Sequence, residues 1–337
     1  MRVLLDVMGA DRSPEELVKG GILTGRRRGA EIVFAGDADI IESALAKHSV
    51  NPGGQFDILP SSDVIRMDEA PVSSVREKKQ SSLVLGLEAL RDRAVDAFVS
   101  PGNTGAIVAG SIFVLGRTQS IPRPAILAAL PTVGGTDVYV IDVGANSDST
   151  PDQLLHFALM GAAYARDVVG IPQPTLGLLN IGSEEGKGNK LISQTFSLLE
   201  SSPLPFVGNV EAHRVLVDRP VDVVVCDGFV GNVFLKAVEG GVSAVARLLK
   251  RTIRGRVIAM LGALLMSGSI AQVRGTMSYQ RRGGAPLLGV DGVVVIAHGR
   301  SDAIAIGSAI DVACNQVSAN LLDRFSEGIA GWEPHGE

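Results

Sequence analysis

Short apolar runs rich in β-branched residues recur along the chain, and stretches with helical spacing fall between most of them. The runs Val3–Val7, Glu31–Ala35, Phe56–Leu59, Ala97–Ser100, Ala125–Leu130, Val138–Val143, Leu176–Ile181, Val221–Cys226 and Val293–Ala297 read as strands. Helical spacing marks Pro14–Arg27, Ile40–Lys47, Ser82–Ala94, Thr104–Leu115, Pro151–Val168, Lys190–Glu200, Asn232–Lys250 and Ala303–Phe325. Pro14 and Pro151 each follow a Ser or Thr, which pairs a capping hydroxyl with a first-turn proline. Continuous apolar strands belong to a largely parallel sheet covered on both faces, so the pattern predicts an α/β fold with three layers, αβα. No internal repeat or linker interrupts it, and residues 1–337 read as a single α/β catalytic unit or as two intimately fused subdomains.

Open sheets of this kind bind ligands beyond the carboxyl ends of their strands. Four post-strand loops combine Gly with Asn: Gly102-Asn103-Thr104-Gly105, Gly144-Ala145-Asn146, Gly188-Asn189 and Gly231-Asn232. Glycine lets backbone N–H groups approach an anion at the next helix N-terminus, and Asn adds a donor that does not titrate. Turn-making alone also accounts for any one such loop. The stretch Asn180–Asn189, NIGSEEGKGN, carries Gly182, Gly188 and Lys187. It is not a Walker A loop, because three residues separate its first glycines and no Ser or Thr follows the lysine. No GxGxxG follows a strand, so a nicotinamide has no fingerprint here. A small phosphate or a phosphate-bearing substrate remains. Asp6, Asp142, Asp227, Cys226 and His298 also fall at strand ends, where helix-capping carboxylates and a buried apolar thiol are the ordinary outcome.

Composition narrows the classes. Aromatics are 4% of the chain and its net charge is -5, which argues against an aromatic-stacking nucleic-acid binder. Two cysteines without CxxC or a His cluster give no disulfide framework and no zinc site, so no metal is expected. No stretch reads as a membrane span. One region departs from the acidic average: from Gly240 to Val290 there is no acid and there are eight cations, Arg281 among them. Residues 240–275 read as a basic amphipathic helical hairpin with Gly255 as a break. Leu261 and Leu264 lie on the apolar side, and Arg247, Lys250, Arg251 and Arg254 mostly on the other. A solvated face, an anionic membrane surface and an acidic protein partner all fit this pattern.

The motifs "LDVMGAD", "REKKQSS", "VSPGNTGA", "LGR", "RPAI", "DVGANSD", "LLNIGSEEGKGN", "GNVE", "DVVVCDGFVGNVFLK", "GGAPLLG" and "AHGRS" occur in that order across nearly the whole chain. Together they closely resemble the bacterial phosphate acyltransferases, the fatty acyl-[acyl-carrier-protein]:phosphate acyltransferases of phospholipid synthesis. The resemblance implies a fold akin to isocitrate and isopropylmalate dehydrogenases and to phosphotransacetylases, used without a cofactor. It implies transfer of a long-chain acyl group from acyl carrier protein to inorganic phosphate by a homodimer. It also implies a cytoplasmic enzyme held peripherally at the inner face of the plasma membrane, feeding an integral glycerol-3-phosphate acyltransferase. An acyl-CoA-using phosphotransacetylase and a non-catalytic dimeric module for membrane or carrier protein are the alternatives. The chain departs from the family where Arg12 replaces a usual histidine, Gln80 a usual aspartate, and Ala212-His213-Arg214 a usual Gly-Arg-Asp.

The expected site follows from both readings. Lys187 and the glycine-rich turns, with Gly105, Asn180, Gly182, Gly188 and Asn189, position phosphate. Asn103, Thr104, Asn146 and Asn232 donate to phosphate or thioester oxygen, Lys236 and Asp227 order the site, and His298 serves proton traffic. These turns are expected to share one rim of the sheet.

Overall fold

A computed structural model describes residues 1–276 and 282–330, so Arg281 of the cationic run lies outside the described residues. The chain opens with β1 (Arg2–Asp6), α1 (Pro14–Arg28), β2 (Glu31–Gly36), α2 (Ala38–Lys47) and β3 (Phe56–Pro60). Helices α3 (Pro71–Glu77) and α4 (Ser82–Arg91) precede β4 (Ala97–Ser100) and α5 (Thr104–Val114). A hairpin of β5 (Ala125–Pro131) and β6 (Asp137–Ile141) leads into α6 (Pro151–Tyr164), which ends in a π-helical turn at Ala165–Val169. Next come β7 (Leu176–Asn180), α7 (Lys190–Glu200), β8 (Phe206–Glu211), α8 (Ala212–Val215) and β9 (Val223–Val225). The long α9 (Gly228–Ile253) continues into α10 (Val257–Leu265) and α11 (Ser267–Thr276). Then follow β10 (Ala285–Leu288), β11 (Val293–Ile296), α12 (Ala303–Ser318) and α13 (Leu321–Ala330).

Local chemistry sets several of these boundaries. Pro14 starts α1, and Gly29 ends it at φ 66, a left-handed angle that costs glycine nothing. Thr150 and Gln153 form a reciprocal capping box at the start of α6. The single helix expected over Ala303–Phe325 is two, because Asn320 turns the chain at φ 50.

All eleven strands form one sheet in the order β3-β2-β1-β4-β11-β10-β5-β6-β9-β7-β8. Alternate strand residues enter opposite cores, as the pleat requires. Leu4, Phe98, Val140 and Val224 face a core shared with α3, α4 and α5. Val3, Leu5 and Val99 face one built with α1, α2 and α12, while Ile141, Val223 and Val225 face one built with α6 and α7. Helices therefore cover both faces, giving the three expected layers.

The sheet is mostly parallel, but β10 runs antiparallel to both β11 and β5, and β5 antiparallel to β6. The direction of the sheet consequently reverses: β1, β2, β3, β4 and β11 point one way, and β6, β7, β8 and β9 the other. This corrects the expectation of one common rim for all the post-strand turns. The carboxyl ends of β4 and β11 lie on one rim, and those of β6, β9 and β7 on the opposite rim.

Helix α9 buries only Gly228 and Gly231 among its 26 residues. At 1.5 Å per residue it is about 39 Å long. Phe229, Val233, Val245 and Leu248 are more than half exposed. One 18-residue window of it reaches a mean hydropathy of 1.3 with 6% of the window buried, so by length and composition alone this helix is apolar enough to cross a membrane. Gly255, at φ 82, separates it from α10, where Leu261, Leu264 and Leu265 are exposed.

Candidate active site

The rim formed by β6, β9 and β7 is organised around one buried carboxylate. Asp142 follows β6 and is completely inaccessible. Its Oδ1 accepts N–H groups of Ile126 at 2.9 Å, Gly144 at 3.0 Å and Ala145 at 3.0 Å. Its Oδ2 accepts the Asn146 N–H at 2.8 Å and the Asn146 side-chain amide at 2.9 Å. The same amide donates to the Pro124 carbonyl at 2.8 Å. Burial pushes the Asp142 carboxyl above its ordinary value, while these donors pull the other way. The carboxylate thus templates the turn Gly144-Ala145-Asn146 and ties it to the start of β5.

Helix α9 sits directly on that turn. A Cβ at Gly231 would overlap the Asp142 carbonyl oxygen, and one at Gly228 the Asn146 carbonyl oxygen. Both glycines are therefore required by close approach of backbones, a demand that no sequence pattern distinguishes from turn-making. Asp227 caps α9, with Oδ1 accepting from Phe229 and Val230 at 3.0 Å each. Asn232, one turn into the helix, lies against Gly144, and its side chain makes no hydrogen bond among the described residues. Lys236, one further turn along, is exposed and in no ion pair among the described residues.

The loop after β7 lies beside that of β9 because the two strands pair. Asn180 is buried and holds the loop closed, donating to the Lys187 carbonyl at 3.0 Å and accepting from Ile181 at 2.8 Å. Gly188 adopts φ 98, and Asn189 caps α7 through the Ile192 N–H at 3.0 Å. Gly182 is buried where a Cβ would crowd Glu184 and Lys187. The Lys187 ammonium is half exposed and 4.0 Å from Glu184, a loose contact of small energetic weight. The acids Asp142 and Asp227 spend oxygens on backbone N–H groups, whereas the Asn232 amide and both lysines stay available to an anion.

The opposite rim holds the remaining expected residues. Asn103 caps α5 by accepting from Ala106 at 3.1 Å. Its amide donates to the carbonyls of Arg66, Met67 and Glu69 at 3.1 to 3.3 Å. It is spent on holding the loop before α3. Thr104 is exposed at the first turn of α5, and Gly105 packs against Pro71. His298, beyond β11, is exposed and accepts the Arg300 N–H through Nδ1 at 3.0 Å. Between these loops Asp6 is buried, bonded to Ser82 and Ser100 at 2.7 Å each and to the Met8 N–H. Burial pushes its carboxyl up to about 6. Cys226 is buried and its thiol is pushed well up by desolvation, which denies it a nucleophilic thiolate.

A family model described as "Fatty acid synthesis protein" matches residues 1–324. The phosphate acyltransferase of Heliobacterium modesticaldum is 44% identical over 331 residues, covering 98% of each chain. That of Brevibacillus brevis is 43% identical over 330 residues, 98% of this chain and 97% of the relative. Among solved structures, a phosphotransacetylase from Streptococcus pyogenes superposes with TM-score 0.64 at 14% identity, covering 94% of each chain. A 4-hydroxythreonine-4-phosphate dehydrogenase from Klebsiella pneumoniae gives TM-score 0.55 at 13% identity, over 94% of this chain and 99% of that one. These two share its fold, and the identity over the full length carries the kinship. The chain belongs to the fatty acid synthesis protein family, together with the proteins named phosphate acyltransferase.

Proposed function

We propose that this chain transfers an acyl group from the thioester of acyl carrier protein to inorganic phosphate, in phospholipid biosynthesis. Full-length identity to proteins named phosphate acyltransferase supports the reaction. The geometric observation that supports the rim of β6, β9 and β7 as its site is that Asp142 and Asp227 are turned onto backbone there while the Asn232 amide, Lys187 and Lys236 are not. A phosphate oxygen attacks the thioester carbonyl, the C–O bond forms, the C–S bond breaks, and the departing thiolate takes up the proton that phosphate loses. Phosphate is already nucleophilic near neutrality and a thiol is a good leaving group (pKa about 8.5), so no strong base is required. Positioning of two anionic partners and donation to the developing oxyanion are what remain for the protein. Lys187 and the turns around Gly182 and Gly188 hold phosphate, and Asn232 donates to the carbonyl oxygen.

The finer features belong to the same reading. Two antiparallel strands dividing two parallel sets support likeness to the isocitrate and isopropylmalate dehydrogenase fold, with α9 to α11 as the protruding helical region. The exposed apolar surface along α9 supports a homodimer, since beyond its first turns most of the helix is uncovered among the described residues. Arg247, Lys250, Arg251 and Arg254 are exposed and in no ion pair among the described residues, and Leu261 and Leu264 are exposed nearby. That combination supports peripheral contact with an anionic, cytoplasm-facing membrane, where an integral glycerol-3-phosphate acyltransferase consumes the product. Flotation with anionic liposomes tests this, and full retention after neutralising the four cations excludes electrostatic binding through them. The reaction is tested by thiol release from acyl carrier protein with and without phosphate, alongside acyl-CoA. Phosphate-dependent release from acyl carrier protein supports the proposal, and release from acyl-CoA alone replaces it with a phosphotransacetylase.

A further inference from the structure

A cleft of about 800 Å³ opens where the segment Gly116–Pro124 meets α6. Ile112, Ile121, Pro122 and Pro124 supply apolar wall, and Arg117, Arg123 and His156 supply its cationic and titratable groups. Neither arginine is in an ion pair among the described residues. Arg117 spends one donor on the Pro122 carbonyl at 2.6 Å, and the Arg123 side chain spends none among the described residues. His156 places Nδ1 2.6 Å from the Asp152 carbonyl. A carbonyl only accepts, so Nδ1 carries the proton in this contact.

The wall is fixed rather than loose. Thr118 is buried and donates its hydroxyl to the Val290 carbonyl at 3.0 Å, while its N–H bonds the Gly289 carbonyl at 3.1 Å. Asp291 returns an N–H to the Gly116 carbonyl at 3.2 Å. The cleft is also joined to the candidate active site: Pro124, part of its lining, accepts the Asn146 amide that clasps Asp142. Two guanidiniums in a cleft whose lining holds no carboxylate, with apolar wall at Ile112, Ile121 and Pro122 and with Pro124 touching the reaction rim, suit a slender ligand with an anionic end and a reactive opposite end.

We propose that this cleft binds the phosphopantetheine arm of the acyl donor, with Arg117 and Arg123 on its phosphate group and the thioester directed toward Asn232. The assignment rests on the acyl-transfer reading above. Acyl carrier protein and coenzyme A both carry this phosphate, and acyl-pantetheine lacks it, so the three donors separate the possibilities.

The test compares wild type with Arg123→Gln and with the Arg117→Gln/Arg123→Gln pair, reading kcat/KM for each donor and KM for inorganic phosphate. Arg123→Gln removes no side-chain hydrogen bond among the described residues, so it isolates the charge. Wild type should prefer acyl-CoA over acyl-pantetheine, and the pair should erase on the order of 10–100-fold of that preference. Acyl carrier protein should suffer the same loss through KM, with the KM for phosphate unchanged. An undiminished preference for acyl-CoA over acyl-pantetheine would overturn the proposal. So would a loss confined to acyl carrier protein, which marks a protein-docking surface, or a raised phosphate KM, which marks the co-substrate site. If wild type makes no acyl phosphate from any of the three donors, it is the acyl-transfer reading itself that falls.

Discussion

Asn146 clasps Asp142 twice, by its backbone N–H at 2.8 Å and by its side-chain amide at 2.9 Å, and the same amide holds the Pro124 carbonyl. Both amide hydrogens are consumed, so the side chain orders the turn. Asn146→Ala should lower stability by about 1–3 kcal/mol, the cost of leaving buried acceptors unpaired. Asn146→Asp should cost more, because it sets a second carboxylate against Asp142. Urea denaturation of the three proteins checks the order, with the m-value unchanged if only the native contact is lost.

Asn232 contrasts with Asn146 in making no side-chain hydrogen bond among the described residues. Asn232→Ala should reduce kcat by roughly 10²–10³ if it donates to the oxyanion, with little change in melting temperature. A parallel fall in melting temperature would instead assign it to the fold.

Gly231 allows α9 to rest on the Asp142 carbonyl. Gly231→Ala should cost about 1–3 kcal/mol by overpacking and displace the helix from the Gly144 turn. Gly240→Ala is the internal control: its added Cβ meets nothing within 4 Å, and its stability effect should be neutral or favourable. Thermal melts of the two variants decide this.

Asp6 gives a pH signature. Its folded carboxyl stands at about 6 against an ordinary 3.8, so the folded protein binds this proton more tightly than the unfolded chain. The stabilisation is fully present below the unfolded value and is lost as pH rises through about 6. Relative to Asp6→Asn, which cannot titrate, wild type should gain about 2 kcal/mol of stability between pH 8 and pH 4.5. Urea unfolding of both proteins at the two pH values measures the difference, and a constant gap between them would show that Asp6 titrates normally.

Much of the fold is legible as a sequence because buried parallel strands write continuous apolar runs. Nine of the strands appear that way, including the three-residue β9 inside VDVVVCDG. Two strands leave no such trace. Half-exposed β8 (FVGNVE) lies at the sheet edge, and β10 (APLL) is four residues long with a proline. The untraced β10 matters for function, since β10 and β5 reverse the sheet and send Asn103 and His298 to the rim opposite Asn232. The loops bearing Asn and Gly were visible, but their division of labour was not. Whether an asparagine amide is free or spent depends on carbonyls far away in sequence, such as Pro124 for Asn146 and Arg66 for Asn103.

The most direct test of acyl transfer at the Asn232 rim is hydroxylamine trapping of acyl phosphate. Wild type and Asn232→Ala would be incubated with long-chain acyl carrier protein and inorganic phosphate. The account predicts phosphate-dependent acyl hydroxamate with wild type and a yield rate lower by roughly 10²–10³ with the variant. Equal rates from the two proteins, or hydroxamate that forms without phosphate, would contradict it.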